Sequence, residues 1–352
     1  MKPVKFAIVG CGRIAPKHAE AIINLEDAQL VAVCDKNKEK ADRFAEKYLA
    51  KPYYDYIQLL KDADFDAICI CTPSGYHAEM GIQAAEHCKH VLVEKPMAMN
   101  LEDAGRLIDQ CQKRRVKLGV VHQNRFNKSV RMVREALEKG KFGRLTHVNA
   151  AVRWNRNDAY YNEASWRGTW ELDGGCLMNQ AIHNIDLLQW ILGPIDTVSA
   201  FTATMLRKIE APDIGVAILR ARNGAYGIVE AANTIYPCNL EETLHVFGER
   251  GTAAIGGIAV NRIEAWRFSE NYIEEEKAIL EERENEPPDV YGFGHRELIK
   301  DFIKAIKEDR QPAITGEEGR KALEIILAMF KSSETGLPVR LPLESSYKPG
   351  GK

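Results

Sequence analysis

Short, almost wholly apolar runs alternate with amphipathic ones through the first third of the chain. Residues 6–9, 30–34, 67–71, 91–93 and 118–121 carry no polar face. Between them, buried-type positions recur at helical spacing: Ile14, His18, Ile22 and Leu25, and later Leu101, Ala104, Leu107, Ile108 and Cys111. Uniformly apolar strands need cover on both faces, so this alternation predicts a parallel sheet sandwiched by helices, a doubly wound α/β (Rossmann) domain.

The period changes after about Gln123. A helix over 130–138 leads to a long strand over 145–154. An irregular stretch rich in Trp, Tyr, Asn and Arg follows (153–175), then a helix over 177–192. Residues 198–260 read as extended strands joined by turns such as Asn223-Gly224 and Arg250-Gly251, which predicts a mainly antiparallel sheet. The charged stretch 274–289 ends in Pro287-Pro288 and reads as a solvated strand edge or loop. Helices over 294–307 and 316–333 close the pattern, and no internal repeat interrupts it. The expected organisation is a Rossmann domain over 1–123 and an α+β domain over 124–352, whose last helix packs back on the first.

Length agrees: 352 residues fit two domains of about 150 each. Lys and Arg total 48 against 50 Asp and Glu, so no basic excess points to nucleic acid or a membrane surface. Any anion must then be held by a few placed arginines. The eight cysteines form no CxxC pair, and several sit within apolar runs, which fits a reducing compartment. With no apolar run near 18 residues and a first strand that enters a glycine turn directly, a cytoplasmic protein is expected.

Gly10-Cys11-Gly12-Arg13-Ile14-Ala15 is a GxGxxA fingerprint between the first strand and the first helix. Gly10 permits the tight turn, Gly12 lets backbone approach a pyrophosphate, and Ala15 lets helix meet strand. Helix amides then face the phosphates. Asp35 ends the second strand, where a carboxylate bonds ribose hydroxyls and repels a 2′-phosphate, so NAD is expected over NADP.

Two further strand ends bear polar groups: Thr72-Pro73 with His77, and Glu94-Lys95-Pro96. Ligands bind beyond the carboxyl ends of such strands, which puts these segments with the cofactor. A second constellation runs from Asp173-Gly174-Gly175 into a helix with Asn179, His183 and Asp186 on one face. Alcohol oxidation needs a base for the hydroxyl proton, and a histidine suits that role. No metal site is indicated: His87 and His90 lack a third ligand.

At these residues the chain resembles the glucose–fructose oxidoreductase, inositol dehydrogenase and MocA family. The shared features are the GxGxxA start, Thr72-Pro73, Glu94-Lys95-Pro96, the Gly-Gly…His-x-x-Asp helix and Gly316-Glu317-Glu318-Gly319. The resemblance implies hydride transfer from a sugar or polyol, with Lys95 and His183 at the reacting carbon and Gln123 in the cofactor set. It also implies an open-faced sheet often used for oligomers, here a homotetramer. One departure stands out. Many members place an aspartate four residues before the histidine, where this chain has Asn179; an asparagine orients the ring but brings no charge.

Within the family, residues 122–127, 153–156, Tyr160-Tyr161, 166–170 and Asn179-Gln180 look like those of enzymes that oxidise the 3-hydroxyl of UDP-N-acetyl-D-glucosaminuronic acid, for surface-polysaccharide amino sugars. That nucleotide sugar carries a diphosphate and a carboxylate, both suited to guanidinium groups. Asn124, Arg125, Arg153, Arg156, Tyr160, Trp166, Arg167, Thr169, Asn179 and His183 are therefore the expected substrate contacts. The alternatives are an inositol or free-sugar dehydrogenase, a non-catalytic NAD-bound regulator, and an NAD-dependent glycosidase that oxidises only transiently.

Overall fold

In a computed structural model, residues 2–268, 272–281 and 289–350 are described. The chain divides into two compact units, Met1–His122 with His295–Arg320, and Gln123–Gly294 with Lys321–Lys352. The segment that returns to the first unit is thus the helix Gly294–Lys307 and the start of Gly316–Thr335, not the last helix as a whole.

Six parallel strands build the first unit: β1 (Val4–Val9), β2 (Ala28–Cys34), β3 (Lys51–Tyr53), β4 (Ala67–Ile70), β5 (His90–Val93) and β6 (Leu118–Val120), in the order β3-β2-β1-β4-β5-β6. β3 is the strand that the apolar pattern does not reveal, because its three residues include a lysine and a proline and it lies at the sheet edge. β4 is buried along its whole length, as a strand covered on both faces must be. The order reverses between β1 and β4, which makes their carboxyl ends the topological switch point. The returning segment adds a bridge from Thr315 to Gly119.

The second unit is an eight-stranded sheet: β7 (Leu145–Arg153), β8 (Ile195–Ala203), β9 (Ile214–Ala221), β10 (Tyr226–Ala232), β11 (Glu241–Gly248), β12 (Thr252–Gly256), β13 (Arg262–Arg267) and β14 (Val339–Arg340). Its order is β13-β12-β11-β7-β10-β9-β8-β14, and among the described residues β7 and β10 form the one parallel pair. The sheet is therefore mixed and mainly antiparallel. Alternate residues of β9 and β10 are buried, and the opposite face carries exposed Phe201, Ile218 and Tyr226. The helix Ile182–Leu192 covers β7, β10 and β11. Gly227 makes room for it: a Cβ there would lie 3.0 Å from Leu188 and Leu192.

The charged stretch expected as a strand edge or loop is a helix from Tyr272 to Glu281, and 282–288 lie outside the described residues. Its acids are not simply solvated. Glu275 accepts from the Trp266 indole (3.1 Å), and Glu276 accepts from the Trp266 backbone N–H (3.0 Å). Acids in a first turn also favour the helix dipole, a local gain that net charge hides. No helix among the described residues is long and apolar enough to cross a membrane.

Candidate functional site

The glycine turn of the first unit is clasped from two sides. Gly10 donates its N–H to the Cys34 carbonyl (2.8 Å), and Asp35 accepts from Cys11 N (2.9 Å) and Asn37 N (2.9 Å). Gly10 has φ +89°, and a Cβ there would lie 2.7 Å from the Cys71 backbone, so only glycine fits at the switch point. Gly12 is different. A Cβ there meets nothing within 4 Å of the protein, so fold packing does not demand glycine. What does is backbone access, and the exposed Gly12-Arg13 turn before the helix Ala15–Ile23 fits the pyrophosphate cradle of a dinucleotide. Cys11 inside the turn stays a thiol, pushed up to about 12 by burial and the Asp35 charge.

At the β4 and β5 ends, His77 is buried with Nδ1 2.7 Å from the Pro96 carbonyl and Nε2 2.8 Å from the Thr72 carbonyl. Its ring, expected beside the cofactor, joins two strand-end loops. Glu94 is likewise buried and turned inward, 2.8 Å from His18 Nε2, while Lys95 is half-buried. Burial alone would raise the Glu94 pKa, but the His18 hydrogen bond and charge, with Lys95 and His295, hold it near about 2. His18, Glu94 and His295 bring ligand-type atoms within 4.8 Å of one another, all buried. His87 and His90 belong to no such group among the described residues; His90 Nδ1 accepts from Lys117 N (2.9 Å).

The second unit opens its half with Gly174 and Gly175, at φ +73° and +71°. A Cβ on Gly175 would lie 2.4 Å from the Pro212 carbonyl, to which Cys176 donates (2.9 Å). Cys176–Ala181 then form a π-helical turn before the helix Ile182–Leu192. The expected regular helix is thus interrupted at Asn179, a local widening common at functional sites. Asn179 and His183 are half-buried. Asp186, expected on their face, is fully buried and takes a bidentate pair from Arg125, at 2.7 and 2.6 Å. Arg125 is itself buried and stacks on Trp190, so its guanidinium faces a carboxylate of the protein rather than a substrate. Gln123 and Asn124 are buried in the same turn, and Asn124 Oδ1 has no partner among the described residues.

The four arginines expected at the substrate separate by partner. Arg153 bonds Glu230 (2.9 and 2.5 Å) and Glu241 (2.5 Å), which leaves little positive field for a ligand. Arg156 bonds neutral oxygens, the Asn155 carbonyl and Asn239 Oδ1, and lies over Trp154 and Tyr160. Arg167 stacks on Tyr160 (4.0 Å) and Trp166 (4.9 Å), with Glu163 at 3.7 Å; its buried Nε has no partner among the described residues. Tyr160 OH accepts from Gln180, which with Tyr161 holds the buried Asn233. Thr169 turns its hydroxyl to the Trp166 carbonyl (2.7 Å) and closes a local turn.

Sequence reasoning missed two members. Arg207 reaches the Asn233 carbonyl (3.5 Å) that also accepts from Arg156 N (2.9 Å), so it joins this cluster from a distant loop. Nothing local marks it. Asp173 is buried and accepts from Asn179 Nδ2 and from Gly168 N (2.8 Å). Its place directly before the double glycine was a visible signal.

A 3-2-1-4-5-6 sheet with this glycine turn and a strand-end lysine, in one chain with a helix bearing His183, defines a dinucleotide-dependent oxidoreductase. The chain belongs to the GFO/IDH/MocA family: residues 4–122 match the oxidoreductase family's NAD-binding Rossmann fold, and residues 130–254 match the GFO/IDH/MocA C-terminal domain. It is similar to the WlbA dehydrogenase of Bordetella pertussis, solved with NADH and UDP-GlcNAcA, at 39% identity and TM-score 0.88 over 97% of this chain and 100% of that one. The corresponding enzyme of Chromobacterium violaceum, solved with the same ligands, gives 38% and 0.90 over 98% and 97%. Myo-inositol 2-dehydrogenase of Thermotoga maritima is 28% identical over 96% of this chain and 98% of its own length. The chain is thus an NAD-dependent oxidoreductase.

Proposed function

We propose that this protein oxidises the 3-hydroxyl of UDP-N-acetyl-D-glucosaminuronic acid to the 3-keto sugar, a step toward amino sugars of surface polysaccharide. The observation that carries the reading is the cationic cluster of the second unit. Arg156, Arg167 and Arg207 gather about Tyr160 and Asn233, and among the described residues their guanidinium groups meet a carboxylate only in the Arg167–Glu163 contact at 3.7 Å, since Asp213 takes the Arg207 backbone N–H instead. Closely set guanidinium groups repel unless an anion joins them, and a diphosphate and a uronate together supply that charge. The two WlbA structures with UDP-GlcNAcA support the same reading.

NAD, when bound, accepts the hydride from C3. The chain's own residues then have three tasks. Gly10, Gly12, Arg13, Ile14 and Asp35 hold the dinucleotide, with Thr72 and Pro73 at the next strand end. Arg156, Arg167, Tyr160 and Trp166 hold the nucleotide sugar. Lys95 and His183 receive and steady the hydroxyl proton as the C3–O bond becomes a carbonyl. The exposed face with Phe201, Ile218 and Tyr226 is assigned to tetramer formation.

The test mixes purified protein with NAD and UDP-GlcNAcA, with and without 2-oxoglutarate, and follows nicotinamide absorbance and product mass. A product lighter by about two mass units, the loss of two hydrogens, is the expected result. Dependence on 2-oxoglutarate would identify in-place recycling of the cofactor. No mass change in either condition overturns the substrate, and turnover of myo-inositol instead would favour the polyol reading. Lys95→Ala and His183→Ala, compared under the same conditions, identify the proton acceptor by which one abolishes turnover.

A further inference from the structure

Asn179 stands four residues before His183, yet a carboxylate does reach this position from elsewhere. Asp173 is buried, and each of its oxygens accepts a hydrogen bond: Oδ1 from Asn179 Nδ2, Oδ2 from Gly168 N. Two acceptor oxygens are the pattern of an ionised carboxylate, since a protonated one would have to donate. The bond also fixes the Asn179 amide. With Nδ2 held by Asp173, the amide turns its oxygen, the acceptor end, away from that carboxylate.

We propose that Asp173 is a positioning residue for the oxidation, acting through Asn179 to orient and charge-stabilise His183. This rests on the reading that His183 handles the hydroxyl proton. A merely structural Asp173 would need only the backbone bonds from Gly168 and Gly175. A neutral amide at 173 could accept from those N–H groups equally well, without burying a charge. The second oxygen, directed at the side chain of the π-helical turn that precedes His183, is what a structural role leaves unexplained.

The charged and titratable groups around Asp173 are consistent with one anion held there. Burial holds the Asp173 carboxyl above the usual carboxylate range, and Asn179, the Gly168 and Gly175 amides and the Arg167 charge offset only part of that rise. Tyr160, Tyr161 and Cys176, which feel its charge, are each raised by burial and stay neutral. Asp213, beside Cys176, is itself met by the N–H groups of Met205, Leu206 and Arg207. On the helix, Asp186 is paired with Arg125. Asp173 is the carboxylate that bonds the Asn179 side chain among the hydrogen bonds described above.

The experiment compares Asp173→Asn, Asn179→Ala and the double variant Asp173→Asn/Asn179→Asp in the full chain. Two readouts are used: steady-state kinetics with NAD and UDP-GlcNAcA, and an NMR titration of the His183 ring without substrate. Asp173→Asn is expected to lower kcat about tenfold with KM nearly unchanged, the signature of a group acting on the chemical step. The His183 pKa is expected to fall by about half a unit or more once the anion is gone. Asn179→Ala, which leaves Asp173 in place but severs the link, should do the same. The double variant puts the carboxylate one turn from His183 and should restore part of both. A wild-type kcat and His183 pKa in Asp173→Asn overturn the proposal, as does loss in that variant with no recovery in the double one. If the wild type turns over no UDP-GlcNAcA, the substrate reading fails, and the titration alone decides: an unchanged His183 pKa in Asp173→Asn rejects the relay.

Discussion

Glu94 accepts a hydrogen bond from His18 at 2.8 Å, and that contact ties the helix after the glycine turn to the strand end that bears Lys95. Both side chains are almost wholly shielded from water, at 0% and 7% exposure. Glu94 Oε2 also accepts from the Lys95 backbone N–H at 3.3 Å. The pair thus holds the cofactor turn and Lys95 in one frame.

The first prediction follows from its charges. Burial disfavours the His18 imidazolium, but Cys71 and Cys69 beside it and the Glu94 contact outweigh that and raise its pKa well above 6.5. Glu94 is held near about 2 against an ordinary 4.5. The carboxylate's contribution to stability is present above pH 4.5 and lost as pH falls through about 2; the imidazolium's is present below 6.5 and lost as pH rises through its raised value. Glu94→Gln should therefore cost about 3 kcal/mol in urea unfolding at pH 5.5. That gap should narrow at alkaline pH. A pH-independent gap would reject the charged pair.

Because His18 already meets Glu94, this cluster needs no ion for its charge balance. Exhaustive chelation should leave both turnover and Tm unchanged. A loss restored by one divalent metal, and abolished in His295→Ala, would instead assign a metal to the three residues.

Gly10 and Gly12 should fail in different ways. Gly10→Ala forces a Cβ to within 2.7 Å of the Cys71 backbone at φ +89°, so it should lower stability by about 2 kcal/mol or more. Gly12→Ala meets no protein atom within 4 Å and should unfold within about 0.5 kcal/mol of wild type. Its NAD affinity should fall at least about tenfold, because the methyl group occupies the pyrophosphate approach. Urea titration and NAD binding by calorimetry separate the two effects.

Arg167→Ala should raise KM for UDP-GlcNAcA by about tenfold to a hundredfold, the range for losing a charge-assisted contact. Arg153→Ala should leave KM near wild type, since its partners are Glu230 and Glu241. Equal effects from both variants would show that these arginines have been separated wrongly.

Arg125→Ala leaves Asp186 buried without its bidentate partner and should cost about 3–5 kcal/mol. Leu at 186 together with Leu at 125 should recover much of that stability, because it removes both buried charges. Chemical denaturation of the three proteins measures this directly.

The apolar runs and the Gly10-Cys11-Gly12 turn were enough to read the Rossmann unit and its cofactor, because a parallel sheet buries both faces and a fingerprint is contiguous in the chain. The edge strand β3 escaped, having too few residues to show a period. The helix Tyr272–Glu281 escaped because its acids look like solvent-facing charge until Trp266 is seen to bond them. The reading of Asn179 and His183 on one helix face was also local, a matter of spacing.

What tertiary structure decided is which charges meet. From sequence, Arg125, Arg153, Arg156 and Arg167 were equivalent cations near aromatic residues. Folding gave Arg125 to Asp186 and Arg153 to Glu230 and Glu241, 61, 77 and 88 positions away. It brought Arg207 to the Asn233 carbonyl from 26 positions away, and Asp173 to Asn179 through a double-glycine turn. Hydrophobic period is a property of neighbours along the chain and can be read there. Charge neutralisation acts through space over a few ångströms, so the sequence determined the fold class and the cofactor turn, while only the folded chain decided which arginines remain for an anion.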